Sequence, residues 1–138
     1  DTLDEDAFAR IEAQMQVNAY APLRLTHCCL PFLSKGATVA LITSRMGSIE
    51  DNTSGRMYGY RMSKAALNMM GKSLSFDLAP REISVAILHP GYVQTGMTNY
   101  NGNMTAEESA ALLVERLDSW DLSKSGQFYH ASGEKLPW

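Results

Sequence analysis

The sequence predicts an α/β protein in which a parallel sheet carries helices on its faces, and three observations lead there. Two short runs rich in β-branched residues, ATVALIT (37–43) and ISVAILH (83–89), have the pattern of strands buried on both faces. Segments of helical periodicity precede and separate them, the alternation expected of a parallel sheet. The 138 residues are 45% hydrophobic and 20% charged, which suits one globular unit with a core.

In chain order, residues 4–33 read as a long helix. Thr2 and Glu5 fit a capping box, and Phe8, Ile11, Met15 and Ala19 recur at helical spacing. Pro22 is expected to kink this helix and Pro31 to bring it near its end. After the strand at 37–43, a polar loop, SRMGSIEDNTSGR (44–56), leads into a second long helix at 57–79 that ends at Pro80. Leu67, Met69 and Met70 are its expected buried residues. The strand at 83–89 is followed by PGYVQTGMTNYNGN, too long for a mere connector. A helix at 105–119 opens on the capping box Thr105/Glu108. GQFYHAS (126–132) reads as a strand, Gly133 as a turn, and KLPW as the tail.

A net charge of −3 and the lack of any basic stripe argue against nucleic acid as a partner. No stretch reaches the ~18 apolar residues of a membrane helix, and the acidic opening DTLDEDAF is not a signal peptide. Cys28 and Cys29 are adjacent with no other cysteine to pair with, so they read as small core residues of a reducing, cytoplasmic compartment. His27, His89 and His130 have no carboxylate at a ligand spacing, and no metal is expected.

The chemistry concentrates in YGYRMSKAALNMM (58–70). Tyr60 and Lys64 are four residues apart, one helical turn, so phenol and ammonium point the same way. A free phenol titrates near ~10, too high for proton transfer at neutral pH. An ammonium within about 4–6 Å brings it toward the working range. In open α/β sheets ligands bind beyond the carboxyl ends of the strands. Ser44 and the segment Pro90–Thr95 leave such ends, and the Tyr60 helix starts from the loop after Ser44. A phenol, an ammonium and a serine hydroxyl suit the interconversion of carbonyl and alcohol. That reaction needs a hydride the protein does not own, so a nicotinamide cofactor is the natural companion.

Tyr60-Arg-Met-Ser-Lys64 with Ser44 sixteen residues upstream resembles the YxxxK-plus-Ser signature of the short-chain dehydrogenase/reductase family. VNAYAP, SKAALN and HPGYVQT accompany it in the family's order. SRMGSI, YRMSKAALN and SGQFYHASGEKLPW look most like C-factor-like proteins and sniffer-type carbonyl reductases. The resemblance implies a Rossmann-type doubly wound sheet, with NAD or NADP as cofactor and a small carbonyl or alcohol compound as substrate. It implies Tyr60 as acid–base catalyst, Lys64 as its partner and ribose ligand, Ser44 as the group orienting the substrate carbonyl, and Asn18 as holder of a relay water through its backbone. Pro90, Gly91, Val93 and Thr95 match the segment that meets the nicotinamide. Arg45, Tyr92 and Met97 are candidate substrate contacts. The helices 4–33 and 57–79 match those the family packs into homodimers or homotetramers.

Plainer readings stand beside these. Asn18 reads equally as an interior helix asparagine satisfied by a loop carbonyl, Ser44 and Pro90-Gly91 as turn formers, and Arg45 as a solvated loop charge. Tyr58 has Met62 rather than lysine at plus four and reads as packing or pocket wall. A hydrolase built on Ser44 has no histidine placed as its base and no nucleophile elbow.

The family's glycine-rich TGxxxGxG turn and NNAG-like element are absent from the sequence. The 138 residues therefore read as the C-terminal catalytic portion of one such domain, starting roughly 90 residues into it. The alternative expectation is a truncated, non-catalytic binding or signalling module that associates through exposed helices and a sheet edge.

Overall fold

The computed structural model describes residues 3–138. The predicted cap at Thr2 lies outside the described residues. The elements are α1 (Ala7–Met15), a π-turn (Gln16–Tyr20), α2 (Ala21–Cys29), β1 (Thr38–Ile42), α3 (Tyr58–Leu78), β2 (Ser84–His89), α4 (Ala106–Asp118) and β3 (Phe128–His130), with single 3₁₀ turns between them.

The strands form one parallel sheet in the order β1-β2-β3, with Val39 opposite Val85 and Ile87 opposite Phe128. Central β2 is buried from Ser84 to Leu88, as its apolar run predicts. β1 departs from that expectation. Leu41 is buried, but Ala40 and Ile42 are exposed. Alternate strand residues face opposite sides, and only the Leu41 side is covered: a Cβ on Gly71 of α3 would lie 2.8 Å from Leu41 Cδ1.

The predicted first helix is two helices joined by the π-turn, where Pro22 takes an early position in α2 rather than kinking a continuous helix. Proline has no N–H to donate, so placing it just after a change of register limits the disruption. α3 packs on both the sheet and α1, and its buried stripe is Gly59, Ser63, Leu67, Gly71 and Ser75. Met69 on its far side is 67% exposed, against the burial expected of it, and Met70 is half-buried. Cys28 is exposed and Cys29 half-buried, so neither is a core thiol. α2 buries Thr26 and leaves Leu25 and Cys28 outward. α4 opens on the predicted capping box: Thr105 Oγ1 accepts from the Glu108 N–H, and Glu108 Oε2 accepts from the Thr105 N–H. No helix among the described residues is long and apolar enough to cross a membrane. None of their His, Cys, Asp and Glu side chains gather in a group that could hold a metal.

Candidate active site

β1 ends where the chain turns under α3. Ser44 is buried and caps the 3₁₀ turn Arg45–Gly47, its Oγ accepting from the Met46 N–H at 3.1 Å. That bond fixes the oxygen and leaves the hydroxyl proton free to donate. The turn lies directly on α3: a Cβ on Gly47 would stand 2.7 Å from the carbonyl carbon of Lys64. Only glycine permits that approach, and it binds the Ser44 turn to the helix that carries Tyr60 and Lys64.

α3 starts abruptly after Arg56 and Met57, both in the left-handed region (φ 58° and 53°). Tyr60 stands in its first turn. Lys64 follows one turn later, its Nζ 5.8 Å from the Tyr60 ring centroid and donating to the Ile42 carbonyl at 3.2 Å. Burial pushes the Lys64 ammonium below its ordinary pKa.

Asn18 sits in the π-turn. Its Nδ2 donates to Ser63 Oγ at 3.0 Å, and Ser63 Oγ donates to the Tyr60 carbonyl at 2.9 Å. Its side chain is thus satisfied by a hydroxyl of the neighbouring helix and not by a loop carbonyl. Residue 22, four positions on, is proline, so the Asn18 carbonyl lacks its ordinary α-helical donor.

Beyond β2, Gly91 takes φ +98° and is buried. The segment after it folds back on itself: Val93 bridges Met104, the Gln94 N–H donates to the Met104 carbonyl, and Thr98 Oγ1 donates to the Val93 carbonyl at 2.7 Å. Ser109 of α4 donates to the Pro90 carbonyl at 2.7 Å, closing the far side.

These pieces enclose a cavity of about 940 Å³ at the carboxyl ends of β1 and β2. Ser44, Arg45 and Tyr60 line one wall, and Pro90, Gly91, Tyr92, Val93, Thr95 and Met97 line the other. Asn18 and Lys64 are not among the lining residues; Asn18 reaches Tyr60 through Ser63, and the Lys64 ammonium stands 5.8 Å from the Tyr60 ring centroid. Tyr58 is exposed and takes no part in the lining. Arg45 faces the cavity, but Asp51 holds it at 3.3 Å and Glu134 at 2.9 Å.

Sequence reasoning gave Ser63 and Arg61 no role and weighed His89 only as a metal ligand. Ser63 is a small residue on a buried helix face and carries no local signal. His89 could have been found as the last residue of the central strand, where ligands gather. It lines the cavity with its ring 5.1 Å from that of His130, and its buried Nδ1 has no partner among the described residues. Burial first, then His130 and Arg45, pulls its pKa down to about 4, so it is neutral at physiological pH.

A phenol backed by an ammonium, beside a pinned serine hydroxyl at strand carboxyl ends, defines a class of enzyme-like site. The model of the short chain dehydrogenase family matches residues 2–106, and this chain belongs to that family. It is 43% identical to 1-hydroxy-2-glutathionyl-2-methyl-3-butene dehydrogenase of Rhodococcus sp. (strain AD45), over 99% of this chain and 61% of the relative. It is 42% identical to the C-signal of Myxococcus xanthus, over 95% of this chain and 80% of that protein. Among solved structures, NADPH-bound carbonyl reductase from chicken fatty liver superposes with a TM-score of 0.91 at 29% identity, covering 100% of this chain and 61% of that one. The carbonyl reductase Sniffer of D. melanogaster gives 0.85 at 34% identity, over 90% and 55%. The chain thus spans about three fifths of the Rhodococcus relative and of the chicken enzyme.

The residues that could hold the nicotinamide end of a dinucleotide are those of this cavity. Its volume lies within the roughly 300–1,000 Å³ of small-ligand sites. Its polar set combines a phenol, Thr95 and the backbone around Gly91, with the Lys64 ammonium just behind. No glycine-rich strand–turn–helix for a pyrophosphate occurs among the described residues.

Proposed function

We propose that this chain is the C-terminal catalytic portion of a cytoplasmic oxidoreductase that interconverts a small carbonyl compound and its alcohol with NADP(H) or NAD(H). The observation that carries the reading is the cavity wall itself: Tyr60 and Ser44 face one space, with the Lys64 ammonium 5.8 Å from the Tyr60 ring. Bound there, the cofactor supplies or accepts the hydride. Ser44 donates to the substrate oxygen and holds it at the phenol. Tyr60 gives its proton to that oxygen in reduction and takes it back in oxidation. Lys64 stabilises the negative charge left on the phenol and binds the ribose. The Asn18 carbonyl holds a water that returns the proton. Pro90, Gly91, Val93 and Thr95 flank the nicotinamide, while Tyr92 and Met97 contact substrate.

Similarity to an NADPH-bound carbonyl reductase and to a dehydrogenase of a glutathionyl-bearing alcohol supports this reading. The apolar outer faces of the helical segments, with Phe8, Leu25 and Phe76 exposed, favour a homodimer or homotetramer through them. They also favour a second reading, a non-catalytic module associating through the same faces and the open edge of β1. Tyr60→Phe decides between the two. In the full-length protein it is expected to abolish NADPH-dependent carbonyl reduction with an unchanged circular dichroism spectrum, and Lys64→Ala to lower both rate and cofactor affinity. An active Tyr60→Phe protein overturns the assignment, and a wild type inert with both cofactors leaves the module.

A further inference from the structure

Three charged side chains line the cavity: Arg45, Arg61 and Asp51. Asp51 and Glu134 both hold Arg45, so its charge is spent. Arg61 differs. Its Nε donates to the Gly55 carbonyl at 3.2 Å and its Nη2 to Ser54 Oγ at 3.0 Å, and both acceptors are neutral. No carboxylate among the described residues pairs with it. These two bonds fix the guanidinium plane and leave Nη1 unspent, which is how a planar fork is prepared for a second partner. His89, held neutral by its surroundings, adds no charge. Arg61, next to Tyr60, is therefore the one positive charge in the lining that no carboxylate among the described residues holds, and Met57, Val93, Met97 and Leu113 supply apolar lining to the same cavity.

We infer that Arg61 is a specificity-determining residue that binds a carboxylate of the substrate, so that the preferred substrates are carbonyl or alcohol compounds with an apolar body and a carboxylate. This inference rests on the hydride-transfer reading for its chemistry, but not for its binding. A carboxylate meets an Arg fork through two charge-assisted hydrogen bonds, and a neutral ester of the same shape cannot match them. In a partly desolvated pocket the difference amounts to about tenfold or more in affinity.

The test uses the full-length protein with NADPH and two probes of nearly equal shape, 4-carboxybenzaldehyde and methyl 4-formylbenzoate. Wild type is expected to favour the acid about tenfold or more in kcat/KM, mainly through KM. Arg61→Gln is expected to bring the acid-to-ester ratio near one, and Arg61→Lys to restore part of it, since a point charge replaces the fork. A ratio near one in wild type, or one that survives Arg61→Gln, overturns the inference. Calorimetric binding of 4-(hydroxymethyl)benzoate and its methyl ester separates the two readings. An Arg61-dependent preference for the acid without turnover of either aldehyde removes the reductase reading and supports the anion site, whereas equal binding removes the anion site.

Discussion

Asn18 Nδ2 and Ser63 Oγ lie 3.0 Å apart and join helical segments separated by 45 residues of chain. Ser63 is fully buried and also donates to the Tyr60 carbonyl, so one hydroxyl ties the π-turn to the first turn of α3. The link connects a local irregularity in one helix to the placement of the phenol on another.

Ser63→Ala removes both bonds and leaves a half-buried amide without its acceptor. The expected loss is about 1–3 kcal/mol of unfolding free energy, read from urea midpoints. Asn18→Ala made alone and with Ser63→Ala completes a cycle. A coupling of at least about 0.5 kcal/mol is expected between the two positions. Strictly additive losses would mean that the bond carries nothing.

Gly47→Ala tests the contact that seats the Ser44 turn. The new Cβ would meet Lys64 backbone atoms at 2.7 and 2.9 Å and the Ala65 nitrogen at 3.0 Å, and no flexible side-chain tip is there to yield. Overpacking of this kind costs about 1–3 kcal/mol. Because the displaced turn carries Ser44, activity should fall further than the loss of folded protein explains. Gly96→Ala is the control: nothing lies within 4 Å of its Cβ, so a change within about 0.5 kcal/mol is expected. Equal stability of the two variants would refute the seating argument.

What the sequence shows and what it hides divide along a physical line. The strands, the second long helix and the Thr105 cap were legible because each depends on residues close together in the chain. Tyr60 and Lys64 were legible for the same reason, being one turn apart. Burial was misjudged where apolarity stood in for contact. α3 is pressed so close to α1 and the sheet at Gly59, Ser63 and Gly71 that small residues share its inner stripe with Leu67, while Met69 and Phe76 point outward. Hydrophobic side chains mark a surface fit for burial, not the presence of a neighbour, and Cys28 on α2 shows the same error. Ser63, Arg61 and His89 matter through partners distant in sequence or through a cavity, and neither can be read from spacing along one helix.

His89 makes stability depend on pH. Its pKa is pulled from 6.5 to about 4 by burial, with His130 and Arg45 opposing a further positive charge. The unfolded chain therefore takes up a proton between those values that the folded chain refuses. Stability contributed by the neutral ring is complete above about pH 6.5, falls as pH drops through that window, and is gone below about 4. The ring is partly exposed, so the full shift overstates the effect, and about 2 kcal/mol is the expected size. Urea midpoints at pH 7, 5.5 and 4 should fall more steeply for wild type than for His89→Gln. The comparison cancels to first order the titration of the rest of the chain, including Glu134, which acts on His130, while His130 and Arg45 are the charged groups that act on His89 itself. Parallel curves would show that His89 already carries its proton in the folded protein, and that the cavity is one charge more positive at low pH than the geometry indicates.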